Sequence, residues 1–156
     1  MRPRSKRANR RGAFLLDAAL TTSAFLALAL GMVDLGTAVF QNHMVSEASR
    51  QVARIASVHG SLAPPGWNGG PWGTAAYSGA GNSTDTIPTT ISNAGALTGL
   101  NPANVAILVE WPTGGNSAQN GDTVQVMVGT PWTPVYGSVF GSSYTLNATS
   151  IMPIAH

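Results

Sequence analysis

At 156 residues, 44% of them hydrophobic and only 9% charged, the chain has room for a membrane segment and one small domain, and none for a multidomain enzyme. The absence of cysteine excludes disulfides, cysteine-ligated zinc and thiol catalysis. The formal charge of +2 is uneven: six of the eight basic residues (Arg2, Arg4, Lys6, Arg7, Arg10, Arg11) precede Gly12 and none follows Arg54, which fits a topology signal drawn to anionic lipid and argues against nucleic-acid binding.

Residues 1–12 read as a basic leader. The apolar run AFLLDAALTTSAFLALALGMV follows from Ala13 to Val33. As a helix it spans about 30 Å at 1.5 Å per residue, enough to cross a bilayer, and the positive-inside rule keeps the leader in the cytoplasm. The expected span is therefore about 13–34, single-pass, with everything after Asp34 outside the cytoplasm. No proline interrupts Asp34 to His59, and Val45, Ala48, Val52 and Ile55 keep a helical spacing, so one helix over 13–59 is predicted. Glu47, Arg50 and Gln51 supply the polar side of its outer half.

Residues 60–86 are rich in Gly, Pro, Ser and Asn without an apolar period, and read as a long loop carrying Trp67 and Trp72. These two indoles are candidate contacts for a sugar or a protein partner; the other reading is that they fold back over the edge of a small domain, as expected of Trp111 and Trp132. Residues 87–156 form an extracytoplasmic α+β domain. A short helix is expected between Ile87 and Leu100, with Pro88 tolerated only in the first turn. Three strands follow at Asn104–Trp111, Thr123–Thr130 and Ser143–Met152, and Asn120-Gly121 suits positive φ in the hairpin loop between the first two. The expected fold is a long N-terminal helix packed on a small antiparallel sheet of about three strands.

Catalytic, metal and cofactor sites find no support. His43, His59 and His156 lack ligand spacing, no Gly-x-Ser-x-Gly elbow occurs, and the carboxylates beyond the membrane segment are scattered. Asn82-Ser-Thr84 and Asn147-Ala-Thr149 satisfy the glycosylation pattern, which is short enough to arise by chance.

The sharper signal lies at the junction of leader and span: Arg10-Arg11-Gly12, four mostly apolar residues, Asp17, then the long apolar helix. A lone ionised carboxylate in hydrocarbon costs a few kcal/mol and needs a partner. Asp17 could snorkel toward Arg10 or Arg11, or meet a cation of a neighbouring subunit. Ala19, Ser23, Ala27 and Gly31 fall every four residues and form a ridge of small side chains suited to helix packing. Asp34, about 25 Å beyond Asp17 along the axis, marks the outer boundary or contacts a subunit.

This order resembles the class III signal of the type IV pilin superfamily, and residues 10–59 resemble the TadE-like family, pilin-like proteins of tight-adherence (Flp) pilus assembly. Gly31-Met-Val-Asp34-Leu-Gly36 and Ala48-Ser-Arg50 match that pattern, as do Gly121–Val128, Pro131-Trp-Thr-Pro134 and Leu146–Met152 at the far end. The family usually has glutamate where Asp17 stands and commonly proline at Ser23. The resemblance implies a minor pilin or pseudopilin of the bacterial inner membrane, cut by a prepilin peptidase between Gly12 and Ala13. It also implies that Asp17 pairs with the new α-amino group of a neighbour's Ala13, and that the partners are other pilin-like subunits and the assembly platform. The competing readings are an uncleaved anchor or a twin-arginine or Sec signal ahead of a ligand-binding module, and an envelope enzyme.

Overall fold

The computed structural model describes residues 7–65, 70–135 and 143–155. The chain divides into two compact units, Met1–Thr37 and Ala38–His156. One helix, α1 (Arg7–Ser57), contributes to both. It begins within the basic leader, ahead of the predicted start, because Arg and Ala there are good helix formers with no proline or glycine between Arg7 and Gly12.

The second unit holds β1 (Tyr77–Ala80), α2 (Thr86–Asn93), β2 (Ala106–Glu110), β3 (Thr123–Trp132) and β4 (Tyr144–Pro153), with short 3-10 turns at Pro102–Asn104 and Ala118–Asn120. The strands form a four-stranded antiparallel meander in the order β1-β2-β3-β4. This is the expected α+β architecture with one more strand, since β1 lies inside the segment read as loop. On the inner face, Ile107 and Val109 of β2 and Val124, Val126 and Val128 of β3 are almost completely buried. They pack against Val45, Ala48, Val52, Ala53 and Ala56 of α1 in one apolar cluster. Alternation of buried and part-exposed residues along β3 follows the two-residue period of a strand with one covered face. Each fully buried valine or isoleucine contributes about 1.5–3 kcal/mol by burial, and the alanines let the helix lie close to the sheet.

α2 is shorter than predicted. Pro88 falls in its first turn and is buried, and Ile91 is fully enclosed. The helix stops at Gly95, where φ is +72°. Gly95 N–H bonds the Ser92 carbonyl and Ala96 N–H bonds Ile91, a Schellman ending that needs a residue without Cβ strain. Leu97 and Leu100 follow in turns rather than helix, with Leu97 still buried in the core.

The β2–β3 loop closes through Gly121 (φ +69°) and through Ser117 N–H, which donates to Asp122 Oδ2 at 3.0 Å. After β4 the chain returns to the helix: Ile154 N–H bonds the Asp122 carbonyl at 3.0 Å, and Ala155 N–H bonds the Ser57 carbonyl at 2.8 Å. One of the orphan carbonyls at the end of α1 is thereby satisfied.

Candidate functional site

The first unit is a stretch of α1 whose large apolar side chains are uncovered. Phe14 is 73% exposed, Leu16 74% and Phe25 70%, and Leu15, Leu20, Leu26, Leu28, Met32 and Val33 are exposed as well. Several of these point in opposite directions around the helix, so the unit has no single apolar face that one neighbour would cover. By length and composition α1 is able to cross a membrane. Two of its hydroxyls are satisfied within the helix: Thr21 donates to the Asp17 carbonyl at 2.6 Å and Ser23 to the Leu20 carbonyl at 2.9 Å.

Asp17 stands exposed on this apolar surface. No described side chain bonds its carboxylate; Arg10 and Arg11, the alternative partners, have side chains outside the described set. Gly12 and Ala13 are exposed helical positions one turn before it, and a Cβ at Gly12 would meet nothing. Of the small-residue ridge, Ala19, Ser23 and Ala27 are exposed and Gly31 is part-buried, with open space where its Cβ would be.

Asp34 is buried at 7% exposure, and its carbonyl accepts from Thr37 Oγ1 at 2.9 Å. It does not end the apolar surface. Leu35, Val39 and Phe40, at 68%, 56% and 65% exposure, continue it. Exposed large apolar side chains run from Phe14 to Leu35 in the first unit, about 32 Å at 1.5 Å per residue against about 30 Å of hydrocarbon in a bilayer, and Val39 and Phe40 of the second unit add to them.

The tryptophans separate clearly. Trp67 lies outside the described residues. Trp72 is buried and cannot serve as an exposed stacking platform: its ring stacks on His59 at 4.5 Å and 20°, and its backbone N–H donates to the His59 carbonyl at 2.8 Å. His59 Nδ1 in turn lies 2.6 Å from the Ile55 carbonyl and donates to it, capping the end of α1. Trp111 is also buried and donates from Nε1 to Asn116 Oδ1 at 3.1 Å, while Asn116 Nδ2 donates to the Trp72 carbonyl. Sequence reading did not single out Asn116, one polar residue among many in a Gly-rich loop, yet it joins the segment after α1 to the β2–β3 loop. Trp132 packs at a tilt on Tyr144, ring centres 6.0 Å apart. Among the described residues no group of three His, Asp or Glu side chains comes together.

Residues 12–54 match the family model described as TadE-like protein. The matched region begins at Gly12 and takes in Asp17, the small-residue ridge and Asp34. It ends within α1, so the resemblance of the C-terminal strands lies outside it. No curated protein and no solved structure matches.

Proposed function

We propose that the chain is a minor pilin-like subunit of a tight-adherence pilus, anchored in the bacterial inner membrane with residues 1–12 cytoplasmic and the sheet domain outside. A prepilin peptidase removes the leader between Gly12 and Ala13. The TadE-like match starting at Gly12 carries this reading, and the exposed Asp17 supports it. In hydrocarbon that carboxylate needs a cation at its own depth. The α-amino group of a processed neighbour's Ala13 supplies one, with the two helices staggered by about four residues, or about 6 Å. The apolar surface that outruns a bilayer, at Leu35, Val39 and Phe40, adds further support: a single-pass anchor leaves it uncovered, whereas neighbouring helices cover it.

Intact mass and N-terminal peptide mapping of membrane-extracted protein test this reading. A chain starting at Ala13 is expected. Retention of Met1, or a start beyond about Leu30, overturns it, the first in favour of a plain anchor and the second in favour of a secreted domain.

A further inference from the structure

Among the described residues no strand pairs with either outer edge of the meander: β4 pairs only with β3 and β1 only with β2. β4 is the more conspicuous, with ten residues from Tyr144 to Pro153 and no charge among them. Edges are usually blunted by charged side chains, internal proline, shortness or a cover, and among the described residues β4 has only Pro153 at its last position. Its inward side chains are also incompletely covered. Leu146, Ala148 and Met152 pack on the core yet stay part-exposed, while Val124, Val126 and Val128 of the adjacent strand are fully buried. A further strand beyond β4 would complete that burial.

Strand parity restricts what that strand can be. In a four-stranded antiparallel meander β1 and β4 run in opposite senses. A second copy displaced sideways therefore brings its β1 antiparallel to β4, with both sheets facing the same way. The outer half of α1 lies against the sheet, since Val45, Ala48, Val52, Ala53 and Ala56 enter the core. Side-by-side displacement keeps those helices parallel, as copies anchored in one membrane through their N-termini require. Pairing β4 with β4 across a two-fold axis would instead reverse one helix against the other. β1 (Tyr-Ser-Gly-Ala) is uncharged as well, so nothing repels the contact.

We infer that the open edge of β4 receives the β1 edge of a second copy of this chain, so that the sheet runs head-to-tail from subunit to subunit. This rests on the assembly reading above and adds the contact between the outer domains. Such a heterologous interface propagates rather than closing as a pair. Four paired residues form a weak contact alone, and co-anchoring in the membrane supplies the effective concentration it needs.

The cysteine-free chain allows a test without background. Ser78, Leu108, Met127 and Thr149 form one cross-strand row, so a neighbour's Ser78 falls on the face that carries Thr145, Asn147, Thr149 and Ile151. Full-length protein in lipid vesicles would carry Ser78→Cys together with Thr145→Cys, Asn147→Cys, Thr149→Cys or Ile151→Cys and be mildly oxidised. Within one chain residues 78 and 149 lie three strand spacings apart, about 14 Å, too far for a disulfide. The expected result is a ladder of dimers, trimers and higher species at one or two neighbouring β4 positions, with single-cysteine variants monomeric. Adding a lysine at an exposed β4 position that lacks the cysteine should reduce the ladder at least tenfold without changing the circular dichroism.

Dimers from Thr149→Cys alone would show two-fold pairing and overturn the inference. So would the absence of a ladder, or equal ladders at all four positions. If no ladder forms while the chain starts at Ala13 and copurifies with pilin-like subunits, the edge contact fails and the assembly reading stands; a start at Met1 overturns both.

Discussion

Asn116→Ala removes the side chain that joins two separate segments of the outer domain, and its cost follows from the contacts it makes. Asn116 is 4% exposed, its Oδ1 accepts from Trp111 Nε1 at 3.1 Å, and its Nδ2 donates to the Trp72 carbonyl. Alanine leaves the backbone bond from Ser61 N–H to the Asn116 carbonyl intact and strips both side-chain bonds. A buried indole N–H and a buried carbonyl then lose their partners, at about 1–3 kcal/mol each, for a total of about 2–6 kcal/mol. Small domains have only about 5–15 kcal/mol in all. For the unit Ala38–His156, of about 120 residues, each kcal/mol moves Tm by about 3–6 °C, so a fall of at least about 6 °C, and up to about 36 °C, is expected. Detergent-solubilised full-length protein, followed by tryptophan emission and near-ultraviolet circular dichroism during heating, gives the measurement. Asn82→Ala, at an exposed turn, is the control and should stay within about 0.5 kcal/mol of the parent. A Tm for Asn116→Ala within about 2 °C of the parent, or equal to that of Asn82→Ala, would refute the idea that Asn116 holds the Trp72 segment in place.

Two further outcomes follow from single positions. Asp17→Ala should leave membrane insertion unchanged, or favour it by up to about 3 kcal/mol, while reducing incorporation into pili; unchanged piliation and copurification would count against the assembly role. Gly121→Val should destabilise the outer domain by about 1–2 kcal/mol in urea titration, because φ is +69° there while the space for a Cβ is open. Gly121→Asn, which tolerates the left-handed region, should cost less, and equal losses for the two variants would point to some cause other than backbone strain.

What the sequence made legible was whatever has a period. The long helix, the alternation in β2 and β3, and the positive-φ residue of the β2–β3 loop could be read directly. β1 could not, because Tyr77-Ser-Gly-Ala80 has little strand propensity and sits in a Gly-rich stretch. It is a strand by virtue of its partner, with Tyr77 opposite Val109 and Ala80 opposite Ala106. A Cβ at Gly79 would meet the hydroxyl end of the Tyr77 side chain, which would have to shift. The predicted helix to Leu100 failed for a complementary reason: its apolar spacing is real, but Gly95 ends the helix and delivers Leu97 to the core from a turn. Trp72 and Asn116 were illegible because their roles depend on contacts with segments far along the chain, such as the 44-residue separation of their own hydrogen bond.

The distribution of exposure along α1 also bears on the choice between an anchor and an assembled subunit. In its outer half the helix behaves as an ordinary amphipathic element: one side enters the core, and on the other Gln51 bonds Glu47 at 3.1 Å in solvent. In its first unit the pattern is reversed, with bulky apolar side chains outside and a carboxylate among them. Lipid alone would account for the apolar residues from Phe14 to Val33. It accounts for neither an exposed Asp17 in that stretch nor the exposed Leu35, Val39 and Phe40 beyond it. Neighbouring helices answer both demands, since one charged terminus can meet Asp17 while the flanks of others cover the surplus length. The two features should therefore respond together: substituting Asp17 should leave Leu35, Val39 and Phe40 more accessible to a hydrophobic probe, although they lie about 27–35 Å away along the helix.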